Sequence, residues 1–168
     1  MRTCRTWPLA LALAVVAAAS PRAEEVRAYR EPQDVVAWLY RDFAWEAVMS
    51  VRFAGGTFMD QPREVLERYL VEDLATLVLK DRECVRRTKE ICKLDFDPLF
   101  ASNDPGASDL EVNWVPQSGL VHVTFKYPGN GQRIELDYKV VKSKHGWRVS
   151  DIIYKDRHTL RGLLSVPD

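Results

Sequence analysis

The chain has 168 residues, 24 of them basic and 24 acidic, and 46% of it is hydrophobic. Without residues 1–23, which read as a leader and carry Arg2, Arg5 and Arg22, 21 basic residues stand against 24 acidic ones; that net charge of −3 argues against a nucleic-acid binder. About 145 residues then remain, enough for one domain with a single core and too few for two.

The leader reading rests on "MRTCRTWPLALALAVVAAAS", where Arg2 and Arg5 precede an apolar run from Trp7 to Ala19 in the layout of a secretory signal. The run is too short for a permanent membrane anchor. Ala17 and Ala19 offer a small-x-small pattern with cleavage before Ser20, and cleavage after Ala23 is the alternative. Cys4 precedes the run, so it is not placed as a lipid-modified cysteine. Residues 1–23 are therefore expected to be a signal peptide, and 24–168 a single domain in the periplasm or secreted.

In "EPQDVVAWLYRDFAWEAVMSVRF", Pro32 stands as a helix opener, and Val36, Leu39, Tyr40, Phe43 and Ala47 recur at three- and four-residue spacing. Trp38 and Trp45 form a second aromatic stripe. A further helix is predicted to start near Asp60 and Pro62, burying Leu66, Tyr69, Leu70, Leu74, Leu77 and Val78. In "DRECVRRTKEICKL", Cys84 and Cys92 are the two cysteines left after cleavage, and an oxidising compartment favours a disulfide between them. A zinc site would want four ligands, and no histidine lies near the pair. A redox pair of the thioredoxin kind would want two intervening residues, not seven. Eight residues of helix span about 12 Å, whereas bridged Cα atoms lie about 4.4 to 6.8 Å apart. The helix must break between them, closing a loop that displays Arg86, Arg87 and Lys89.

"LDFDPLFASNDPGASD" is a turn-rich bridge, after which the period becomes two. Leu110, Val112 and Trp114 alternate with polar residues, then Val121, Val123, Phe125 and Tyr127, then Ile134, Leu136, Tyr138 and Val140, with turns at "YPGNGQ" and "SKHG". "WRVSDIIYKD" is the last strand and "HTLRGLL" a short terminal helix or turn. Helices first and an antiparallel meander afterwards predict an α+β domain, with two or more helices packed on a curved sheet of about four strands.

This order resembles the cone-shaped fold shared by nuclear transport factor two, ketosteroid isomerase and many small bacterial proteins. More narrowly, "LDFDPLFASNDPG", "GWRVSDIIY" and "HTLRGLL" resemble exported bacterial proteins of the domain of unknown function 3828 type, over roughly residues 33–165. Asn103 stands where such relatives typically carry glutamine. The resemblance implies a fold and an exported location, and no established activity.

Strict alternation would put Asp151 beside Trp147, Val149 and Ile153, facing the core or the mouth of the cone, where its pKa would rise without a partner. The alternative is a bulge that turns it outward, or a structural bond to a helix end. Tyr40, Tyr138, Trp38 and Trp45 are the candidate pocket companions of Asp151. Asp97, Asn103 and Asp104 form a candidate bridge motif; both aspartates precede prolines, which is turn chemistry, and their spacing matches no calcium loop. His122, His145 and His158 are expected at the surface. No nucleophile, metal-ligand or cofactor motif is legible, so no catalytic residue, metal or cofactor is assigned. The leading expectation is a non-enzymatic exported protein that binds another envelope protein, as an inhibitor or immunity-type partner would. The second is a small-molecule pocket protein or isomerase-like enzyme using Asp151 with Tyr40 or Tyr138.

Overall fold

Pro32 fixes φ for the first helical turn and sacrifices no hydrogen bond, because the first N–H groups of a helix lack intrahelical partners. In the computed structural model, which describes residues 29–48 and 56–167, helix α1 runs Pro32–Phe43. Asp34 reaches back to accept the N–H groups of Arg30 and Glu31 at 3.2 and 3.0 Å, supplying partners at the start of the helix. The apolar face of α1 buries Val35, Val36, Leu39 and Tyr40. A short helix α2 follows at Trp45–Val48. The predicted leader lies outside the described residues.

The second apolar stripe forms two helices rather than the single one its spacing predicts. After a 3-10 turn at Phe58–Asp60 come α3, Arg63–Tyr69, and α4, Glu72–Thr88. Between them Leu70 is extended (φ −98°, ψ 156°) and bridges Val149, while the Val71 N–H donates to the Val149 carbonyl at 2.9 Å. A hydrogen bond to the sheet thus overrides helical continuity. The stripe survives in burial, since Leu66, Tyr69, Leu70, Leu74 and Val78 are all in the core.

Four antiparallel strands lie in sequence order: β1 Ser108–Val115, β2 Leu120–Lys126, β3 Arg133–Ser143 and β4 Gly146–Ile153. The architecture is the predicted α+β arrangement of N-terminal helices on a curved antiparallel sheet. Val121, Val123 and Phe125 from β2 and Leu136, Tyr138 and Val140 from β3 face the helices. Full burial of such side chains contributes roughly 1.5–3 kcal/mol each. On the opposite face Glu135 and Lys139 are exposed, and His122 meets Asp137 at 2.8 Å. Tyr29 bridges Gly146, so the chain before α1 lies along β4, as Leu70 does further on.

Strict alternation fails in β4. Val149 pairs with Val140 but Asp151 pairs with Lys139, so Ser150 is an extra residue and the strand bulges there. Parity flips beyond it: Ile152 and Tyr154 enter the core, and Asp151 and Ile153 turn to the other face. The terminal helix α5, Leu160–Leu164, is capped by Thr159, whose hydroxyl accepts the Gly162 N–H at 3.0 Å.

Candidate functional site

The predicted pocket companions separate into three places. Tyr40, from α1, and Tyr138, from β3, meet in the core: their hydroxyls are 2.8 Å apart, and Tyr40 donates to the Leu99 carbonyl at 2.6 Å. Phe100 stands edge-on to Tyr40, its ring centroid 5.9 Å away, and also packs on Phe125. Burial raises the pKa of both phenols, and the charge of Asp97 adds to the effect. At 1% and 0% exposure the two rings fill the interior rather than line an opening. Trp38 is half-buried under the Arg41 guanidinium, 3.7 Å from its ring, and Trp45 is 54% exposed. Neither tryptophan joins the tyrosine pair.

Asp151 is the third place. Its Oδ1 accepts the Ile152 N–H at 3.0 Å and the Arg161 N–H of α5 at 2.9 Å. Arg161 also donates to the Ser150 carbonyl and pairs with Asp73 of α4 at 2.9 Å. The expectation of a core-facing acid beside the tyrosines is therefore corrected, because the bulge at Ser150 hands the inward position to Ile152. The alternative held open at the sequence level, an outward turn with a bond to a helix end, describes what Asp151 does.

The bridge motif leads to a more open place. Helix α4 ends at Lys89, which adopts the left-handed conformation (φ 62°), and the chain turns back to bring Cys92 to Cys84. The disulfide joins them with Cα atoms 6.2 Å apart, so the helix breaks between the cysteines as geometry requires. Asp81 secures the returning chain by accepting the Lys93 N–H at 2.7 Å. Between this stapled loop, the 3-10 turn and the bridge is a recess of about 420 Å³. Met59, Val78, Val85, Leu94 and Phe96 contribute its apolar wall, and Ile91, 71% exposed, stands at its rim.

Polar atoms in the recess are strongly biased to one sign. Asp60, Asp81, Asp95 and Asp97 line it together with Arg82 and Asn103. The Arg82 guanidinium is held by the carbonyls of Gln61 at 2.7 Å and Met59 at 3.3 Å. Asp97 closes the bridge, its N–H donating to the Ser102 carbonyl at 2.9 Å and its Oδ1 accepting the Leu99 N–H at 2.8 Å. Burial pushes its carboxyl up to about 6, against the pull of the Leu99 and Phe100 N–H groups and with help from nearby Asp60. Asp104, the other end of the motif, leaves the recess and accepts the Tyr127 hydroxyl at 3.1 Å.

Of the candidate bridge motif, Asp97 and Asn103 line this recess; Asp60, Arg82, Ile91 and Leu94, which the sequence did not single out as site residues, join them from separate segments. The one available signal was Ile91, an isolated large aliphatic residue in a charged loop. Chemically, the recess offers apolar contact and hydrogen-bond acceptors.

The chain matches no protein-family model and no curated protein. Among solved structures, a phospholipid-binding protein from Ralstonia solanacearum, determined in complex with a phospholipid, is similar over 80% of this chain and 68% of its own, at 17% identity and a TM-score of 0.30. No helix of the described residues is long and apolar enough to cross a membrane.

Proposed function

We propose that this chain is an exported, non-enzymatic binding protein of the bacterial envelope, which contacts another protein through the stapled loop and its recess, as an inhibitor or immunity-type partner would. The observation that carries this reading is Ile91: a large apolar side chain 71% exposed, on a loop closed by a disulfide, at the edge of an apolar recess. Isolated exposed apolar residues are ordinary, but one beside a recess on a covalently restrained loop presents a surface whose ordering cost is already met. The competing reading, an isomerase-like site, needs Asp151 beside Tyr40 or Tyr138. The carboxylate, just past the β4 bulge, instead accepts the N–H groups of Ile152 and, from α5, Arg161.

The test is capture from envelope extract with the disulfide-bonded chain and its Ile91→Asp variant side by side. Proteins recovered by the parent and lost with the variant support the reading, and identical recovery by both counts against it. Export is checked by the mass of the chain recovered from the periplasm or medium, expected to begin at Ser20 or Glu24.

A further inference from the structure

The recess has a charge that its own residues do not balance. Four carboxylates, from the 3-10 turn (Asp60), α4 (Asp81) and the bridge (Asp95 and Asp97), line it with one guanidinium, that of Arg82, which is committed to two carbonyls. Three of the four carboxylates each have an oxygen tied to a backbone N–H: Asp60 to Thr57, Asp97 to Leu99 and, across the stapled loop, Asp81 to Lys93. These bonds fix the groups in place, and each leaves a second oxygen to accept from elsewhere. They do not converge on one point, since among the described residues no group of three or more acidic, histidine or cysteine side chains is disposed to hold a metal ion. Carboxylates spread around an apolar wall suit a long side chain with an apolar stem and a cationic head, which buries its methylenes and keeps its charge at the rim.

We propose that the recess seats a lysine or arginine side chain of the partner protein, with a neighbouring apolar residue of that partner resting on Ile91. The inference deepens the binding reading above and rests on it. Charge complementarity picks the occupant: an acidic segment would meet four like charges, whereas a cationic one supplies the missing counter-charge and donors for the second carboxylate oxygens. Val78, Val85, Leu94 and Phe96, which line the same recess, supply apolar contact for the stem.

The probes are three short blocked peptides, Leu-Lys-Leu, Leu-Arg-Leu and Leu-Glu-Leu, titrated into the isotope-labelled, disulfide-bonded chain while amide shifts are followed. The cationic peptides are expected to shift the amides of residues 91–97 and 60, with binding at least about tenfold tighter than the glutamate peptide. Asp95→Asn and Asp97→Asn together are expected to remove most of that preference; Asp95 is exposed and Asn at 97 still accepts the Leu99 N–H. Asp109→Asn, on β1, is expected to leave it unchanged. Equal shifts with all three peptides, or shifts confined to other parts of the surface, would overturn the inference. These results are separable from the earlier test: Ile91-dependent capture with charge-blind peptides retains the binding reading and removes this one, whereas Ile91-independent capture removes the binding reading itself.

Discussion

Tyr40 and Asp97 are close enough in space for the charge of one to act on the other, yet they belong to regions built on opposite terms. In the interior, the Tyr40 hydroxyl is matched twice, to Leu99 and to Tyr138, by residues 59 and 98 positions away in the chain. In the recess, Asp60 and Asp97 are tied to N–H groups two or three residues away, and they line the same recess as Ile91. Long-range polar pairing inside fixes how α1, the bridge and β3 sit together, because a buried hydroxyl without a partner costs about 1–3 kcal/mol. Local pairing at the surface fixes only the shape of the loop, and leaves the chemistry available to another molecule.

The sharpest way to break this contrast is at its interior end. Phe100→Ala removes a buried ring packed on Tyr40 and Phe125, and chemical denaturation should show a loss of about 3–5 kcal/mol. Next comes the staple. Cys84→Ser with Cys92→Ser should cost about 2–3 kcal/mol on the chain-entropy view of a short loop. Hydrogen exchange should then quicken most at residues 89–94, with β3 amides following only the global loss; uniform acceleration would show that the loop and the interior are one unit.

A smaller effect compares two hydroxyls of the same pair. Tyr40→Phe strands both the Leu99 carbonyl and the Tyr138 hydroxyl and should cost about 1–3 kcal/mol, whereas Tyr138→Phe leaves the bond from Tyr40 to Leu99 intact and should cost less. Equal costs from urea denaturation would contradict the assigned donor order. The smallest effect is electrostatic. The folded chain holds the Asp97 proton up to about 6 against an ordinary 3.8, so it takes up that proton before the unfolded chain does. The contribution is fully present below the ordinary value and is lost as pH rises through about 6. Asp97→Asn should erase that one step from a urea midpoint plotted against pH, and an unchanged step would place the titration elsewhere.

The regular strands were legible because nothing interferes with their period of two: Val121, Val123, Phe125, Leu136 and Tyr138 all point as the pattern predicts. The staple was legible from an even cysteine pair and the length of a helix. Asp151 was not, because a single extra residue at Ser150 reverses the parity of everything after it, and Ser150 carries no local mark of a bulge. Nor was the break at Leu70, where apolar spacing continues through residues that a distant strand pulls into extended form. The recess was legible only at Asp97 and Asn103. Its other walls are assembled by folding from stretches near 60, 82 and 91, and no spacing within a sequence records such a meeting.

The bridges along β4 also bear on aggregation. A strand at the margin of a sheet is a template for strands of other molecules. Here Tyr29, Leu70 and Thr159 already bridge Gly146, Val149 and Ile153, so three points along that margin are taken by the chain itself. The opposite margin is guarded differently: β1 is irregular near its start, where Asp109 has φ 53° and pairs with Lys126, and the pairing shifts register before Glu111. A kinked, acidic border discourages in-register stacking, so the sheet is closed to growth on one side by its own backbone and on the other by shape and charge.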